Sequence, residues 1–203
     1  MKIETFTGGM FETNCFFLPE PGIMVDASQE AADWLTRSGH KVKLLLLTHG
    51  HIDHVWDAAR IQREHGCQVG CHPETLPMVS DPKFFHKFGF ALDLETFTPD
   101  LMITETPGRD LGGLEFQVLE VPGHCPGSLC FFLKSERLIF GGDVLFAGGV
   151  GRWDLPGGDM EVLFAGIKTK LFPLGDDVKL LPGHGPATTI GTERLENPYV
   201  GRD

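Results

Sequence analysis

The chain has 203 residues, 41% of them hydrophobic and 22% charged, and a formal net charge of −11. That length fits one domain, taken as residues 1–203, with the composition of a water-soluble globular protein. The acidic balance excludes non-specific binding to nucleic acid or to an anionic membrane, both of which need a basic face. Met1-Lys2-Ile3-Glu4-Thr5-Phe6 carries an acid and lacks an apolar core region, so no secretory signal is expected and the location implied is cytoplasmic. Residues 44–47, the apolar run before the first histidine cluster, fall far below the ~20 residues of a membrane span. The five cysteines are odd in number and form no CxxC pair, which suits reduced thiols packed in a core.

Apolar runs at residues 2–6, 15–18 and 23–25 predict strands separated by Gly-Gly and Pro-Glu-Pro-Gly turns. Ser28 followed by Gln29, Glu30 and Asp33 reads as a capped helix start. A buried strand over residues 42–47 ends at Thr48-His49, and a helix over 54–65 follows, closed by Gly66. Residues 68–71 predict a short strand. Residues 81–97 lose all clean periodicity and read as an irregular or short helical insertion over one face. Leu114, Phe116 and Val118 alternate as a half-buried strand does. Residues 129–133 and 137–140 predict a hairpin, 160–171 a helix, 178–181 a strand and 192–196 a terminal helix. Strands in two halves, each with helices, imply an α/β sandwich of two sheets.

The chemistry is concentrated in Thr48-His49-Gly50-His51-Ile52-Asp53-His54, which sets three imidazoles and a carboxylate at the end of an apolar strand. Imidazole nitrogen and carboxylate oxygen are ligands for zinc, iron and manganese. His49 and His51 alternate about Gly50, so in an extended segment both project to one side. Three more strand ends repeat the design: Val121-Pro122-Gly123-His124, Phe140-Gly141-Gly142-Asp143 and Leu181-Pro182-Gly183-His184. One such loop is weak evidence, and four in one small chain are not chance. His40, His65, His72 and His86 lie outside these motifs and read as ordinary surface or core histidines, His40 and His65 at helix ends where a cation is favourable.

The HxHxDH segment, Pro-Gly-His, Gly-Asp and Pro-Gly-His-Gly in that order resemble the metallo-β-lactamase superfamily. Within it, residues 145–152 (Leu-Phe-Ala-Gly-Gly-Val-Gly-Arg) and Glu193-Arg194-Leu195-Glu196-Asn197-Pro198 are similar to the type II glyoxalases, the hydroxyacylglutathione hydrolases, in their short bacterial form. The resemblance implies a four-layer αββα sandwich and two divalent metal ions, zinc first and iron or manganese as alternatives. His49, His51 and His124 are implied for one ion and Asp53, His54 and His184 for the other, with Asp143 bridging.

The activity so implied is metal-dependent hydrolysis of S-lactoylglutathione or a related acyl thioester, by a metal-bridging hydroxide that Asp53 orients as well as ligating its ion. Arg152 matches the basic position that meets the glutathione moiety in this family; the plainer alternative is a surface arginine paired with Asp154 or Asp159. Cys125, directly after His124, reads as a small filler, with a soft metal ligand as the alternative. The partner expected is a small thioester, glutathione-linked or otherwise, with no nucleic acid and no membrane; a monomer and a homo-oligomer stand open alike. Rival chemistries are a mononuclear iron persulfide dioxygenase and a lactonase on the same fold, and, at a greater remove, a non-catalytic metal-binding or redox module. The expected absence of a secretory signal argues against a secreted β-lactamase, and the acidic balance against a nuclease.

Overall fold

The computed structural model describes residues 1–89, 91 and 93–202. The backbone gathers into two compact units, Met1–Ile103 and Thr104–Asp203. The first opens with a hairpin of β1 (Glu4–Gly8) and β2 (Thr13–Leu18), in which Glu4 faces Phe17 and Gly8 faces Thr13. β3 (Ile23–Val25) runs antiparallel to β2. After α1 (Ala31–Ser38) come β4 (Leu44–Leu46), α2 (Ile52–Val55), α3 (Ala58–His65), β5 (Gln68–Cys71), α4 (Leu76–Ser80) and β6 (Leu101–Met102). β3, β4, β5 and β6 are mutually parallel, and the six strands lie in chain order across one sheet. The helices fall in the crossovers that parallel pairing demands. β3 and β4 are buried at every position, which is why their sequences are unbroken apolar runs rather than alternating ones.

Two helices of this unit depart from the expected pattern because of contacts distant in sequence. Ser28 does not cap α1, because its hydroxyl and amide engage the Cys15 sulfur at 3.2 and 3.1 Å. The Asp57 carboxylate caps instead, accepting from Ala32 N at 2.9 Å. The helix expected over 54–65 is broken at Trp56-Asp57 into α2 and α3. Ala27 causes the break: its N–H takes the His54 carbonyl at 2.8 Å, and its carbonyl takes the Asp57 N–H at 3.0 Å. Gly66 closes α3 as expected, at φ 63. In the 81–97 insertion one 3₁₀ turn forms, Phe84–Phe88; Phe90 and Leu92 lie outside the described residues.

The second unit holds β7 (Thr106–Leu111), β8 (Leu114–Glu120), β9 (Leu129–Leu133), β10 (Leu138–Gly142), the small pair β11 (Leu145–Phe146) and β12 (Gly149–Val150), α5 (Met160–Gly166), β13 (Lys179–Pro182), β14 (Thr188–Thr189) and α6 (Ile190–Glu196). Its large sheet has the order β14-β13-β10-β9-β8-β7, parallel only between β10 and β13. β7 is an edge strand whose register shifts between Thr106 and Arg109. The shift falls at Pro107-Gly108, where the proline has no N–H to give a ladder. α5 runs into a π-helical turn, Ile167–Leu171, so only the first part of the helix expected over 160–171 is α-helical. A core of Val121, Phe132, Ile139, Leu163, Leu180 and Ile190, among others, fills this unit. No helix among the described residues is long and apolar enough to cross a membrane.

Candidate functional site

In the first unit the ligand-type residues follow β4. His49 and His54 are buried, with ring centroids 4.1 Å apart, and the His51 ring stands 4.8 Å from that of His49. His51 is the extended residue before α2, at ψ 147, so Asp53 and His54 fall in that helix's first turn. Asp53 Oδ2 lies 3.4 Å from His54 Nε2. The apolar strand thus delivers all four side chains to one end of the sheet.

Each anchored ring is held by its other nitrogen. His54 Nδ1 meets Asp26 Oδ2 at 2.8 Å, and His49 Nδ1 meets the Thr48 hydroxyl at 3.1 Å. Asp26 sits directly after β3 with φ 61, is buried, and also accepts from Thr48 N and Thr48 Oγ1, each at 2.8 Å. Thr13, fully buried on β2, donates its hydroxyl to Asp53 Oδ2 at 2.8 Å. Sequence reasoning overlooked Asp26 and Thr13. The available signal for Asp26 was a lone acid closing the apolar run Ile23-Met24-Val25; Thr13 carries no such mark.

In the second unit Asp143, directly after β10, lies between two imidazoles. Its Oδ2 is 3.6 Å from His124 Nε2 and 3.4 Å from His184 Nε2. His124 and Asp143 are buried and His184 is partly open, the edge of Phe146 meeting its ring at 6.1 Å between centroids. His124 Nδ1 is bound to the backbone carbonyl of Arg152 at 2.8 Å. The Arg152 side chain points elsewhere, its guanidinium forked onto Asp154 at 2.9 and 3.0 Å, and that pairing holds its pKa above the usual arginine value. Cys125 is fully buried beside His124.

The donor set suits divalent metals. Where Nδ1 is engaged by a carboxylate, hydroxyl or carbonyl, the ring presents Nε2, and such outer partners orient metal-ligating histidines generally. His49, His54 and His124 all have this arrangement. The histidines outside the motifs have other partners. His40 meets Glu4 and packs on Phe17 and Trp34, His72 Nδ1 accepts from Glu74 N, and His86 meets Asp93. His65 accepts from Val42 N through Nδ1, and burial pushes its pKa down, so the helix-end cation expected there is disfavoured.

The sequence pattern of the metallo-β-lactamase superfamily matches residues 8–184, across both units. The hydroxyacylglutathione hydrolase GloC of Haemophilus influenzae is 36% identical over 209 residues, covering 98% of each chain. Among solved structures, BLEG-1, a B3 metallo-β-lactamase, superposes with a TM-score of 0.90 at 30% identity over 98% of this chain and 99% of its own. TTHA1623 in a di-iron-bound form gives 0.84 at 33% identity, over 97% and 99%. The mixed α/β class and the metallo-β-lactamase fold expected from the motifs are those of these relatives.

Proposed function

Because the chain belongs to the metallo-β-lactamase superfamily, we propose that it is a binuclear hydrolase of acyl thioesters, acting as a single domain in the cytoplasm, with S-lactoylglutathione or a close analogue as substrate. The observation that carries the metal reading is the set of three buried histidines held by Nδ1, an arrangement that leaves Nε2 as the nitrogen to ligate a metal. The thioester reading is supported by the full-length similarity to GloC. On the family pattern His49, His51 and His124 would hold one ion and Asp53, His54 and His184 the other, with Asp143 as a ligand available to both.

Bound divalent ions would supply hydroxide at neutral pH and polarise the thioester carbonyl. Zinc is the first expectation, and iron is supported by the di-iron relative. Asp53 orients the attacking water, its own carboxylate fixed by the Thr13 hydroxyl. Water adds to the carbonyl and the C–S bond breaks, giving a carboxylic acid and a thiol. A thiolate leaves readily, so no protonating acid is needed. Arg152 contributes a planar fork for a glutathione carboxylate once it is released from Asp154.

The test is turnover of S-lactoylglutathione by metal-quantified protein, with nitrocefin and a lactone alongside and oxygen uptake on glutathione persulfide as a fourth assay. Thioester turnover that is lost in Asp53→Ala supports the reading. Thioester inactivity with both ions bound refutes it, and the other three assays then separate β-lactamase, lactonase and dioxygenase.

A further inference from the structure

Glu193 is 2% exposed, and its carboxylate accepts hydrogen bonds from the β11–β12 hairpin, from β14 and from the end of α6. Its Oε2 accepts from Gly148 N at 2.9 Å and from Asn197 Nδ2 at 2.8 Å, and its Oε1 from the Thr188 hydroxyl at 2.6 Å. Asn197, also buried, gives the same amide group to the Gly149 carbonyl at 3.0 Å. Glu193 lies in α6 and Asn197 is the residue that ends it. Together they grip the Gly148-Gly149 reversal between β11 and β12. A buried carboxylate is costly unless donors compensate it, and all three donors here are neutral. Glutamate suits the position because an ionised carboxylate only accepts, whereas an amide would turn a donor toward one of the three.

The backbone leaving that hairpin forms the wall of the second unit's ligand cluster. A Cβ on Gly151 would collide with the Asp143 carbonyl oxygen and stand 3.0 Å from His124 Cβ and Cγ, so this backbone lies directly against both residues. Gly151 N donates to Val144 O at 3.3 Å, and the next carbonyl, that of Arg152, binds His124 Nδ1.

We propose that Glu193 and Asn197 form a positioning pair for His124. By fixing residues 148–152 they hold the Arg152 carbonyl where it keeps the proton on Nδ1, so that Nε2 presents its lone pair to a metal ion. The inference rests on the metal-binding part of the function proposed above and not on the thioester.

The test compares full-length wild type with Glu193→Gln, using zinc in stepwise competition against a chelator. The expected result is one ion bound about 10- to 100-fold more weakly and the other at wild-type affinity. Imidazole ¹⁵N–¹H spectra of the metal-free chain give a second readout. His124 should lose its fixed Nδ1–H tautomer while His54, held by Asp26, keeps its own. Asp176→Asn, which removes the charge paired with Arg194 on α6, controls for general loosening of that helix and should leave both readouts unchanged. Should Glu193→Gln fail to fold, Thr188→Val, which removes one donor and buries no new charge, decides the matter with a smaller shift of the same sign. Unchanged zinc affinities with an unchanged His124 signal overturn the proposal, as does a loss shared equally by both ions and by Asp176→Asn. A wild-type chain that binds no zinc refutes the metal reading itself, and the His124 tautomer still tests the pair.

Discussion

The carboxylate of Asp26 and the imidazole of His54 face each other at 2.8 Å, both buried, from elements 28 residues apart in sequence. The same carboxylate takes the N–H and hydroxyl of Thr48, the residue before His49. One acid after β3 therefore ties the end of β4 to the first turn of α2. Asn at this position cannot serve both donors, since its amide must face either Thr48 N–H or His54 Nδ1–H. The expected outcome of Asp26→Asn is about 10- to 100-fold weaker binding of the ion assigned to His54. The misfit should also cost about 1–3 kcal/mol of stability. Chelator competition and urea denaturation check the two effects, and wild-type metal affinity in this variant would remove Asp26 from the site.

Arg152 has two separate engagements, one by backbone and one by side chain, that a single substitution tells apart. Its backbone carbonyl holds His124, and its guanidinium lies on the surface against Asp154. Arg152→Ala should leave metal content unchanged. An exposed ion pair contributes about 0–1 kcal/mol, so stability should change little. If the fork receives a glutathione carboxylate, KM for S-lactoylglutathione rises while kcat stays near wild type, the pattern of lost uniform binding. An unchanged KM would leave Arg152 as a surface residue paired with Asp154.

The elements legible in the sequence are those whose sequences are determined by burial. Residues 23–25 and 68–71 form strands with the expected bounds, and Gly66 ends its helix. The ligand motifs were legible because metal chemistry restricts residue type so strongly that His and Asp after Gly stand out. The features that escaped were set by contacts distant in sequence. Nothing local in residues 54–65 says that Ala27 will occupy the backbone groups of His54 and Asp57 and break the helix. β7 was missed because Thr106-Pro107-Gly108-Arg109-Asp110 has no apolar alternation, and the edge of a sheet with a register shift tolerates that. Glu193 and Asn197 were visible as a motif, but their role depends on a hairpin more than forty residues earlier.

The cysteines give a prediction with a defined pH dependence. Burial pushes the thiols of Cys15, Cys71 and Cys130 up to about 12 and that of Cys67 up to about 11. The thiolate is the reactive form, so these four should not react with Ellman's reagent in the native Cys125→Ala variant at pH 8, whereas unfolding releases all four. The unfolded chain loses these protons near pH 8.5 and the folded chain only at 11–12, so their contribution is fully present below about pH 8.5. Between those values the unfolded state binds fewer protons, and stability falls as pH rises. A native titre of one or more thiols at pH 8 would contradict the burial.

Gly123 shows why a glycine precedes His124. Its φ is 117, and a Cβ there would meet Leu163 N at 2.5 Å and Asp159 O at 2.6 Å, because the start of α5 docks on this backbone, with Asp159 N donating to Gly123 O at 2.8 Å. Gly66, at φ 63 with nothing within 4 Å of an added Cβ, needs glycine for its conformation alone. Gly66→Ala should therefore cost only the left-handed strain, about 1–2 kcal/mol. Gly123→Ala adds overpacking against backbone that cannot yield, a further ~1–3 kcal/mol, and should weaken metal binding through His124, which Gly66→Ala leaves intact. Thermal melts of both variants and their zinc affinities provide the comparison. Equal melting losses would mean that the docking of α5 relaxes around the new methyl, and an unchanged zinc affinity in Gly123→Ala would mean that His124 is positioned from its Arg152 side alone.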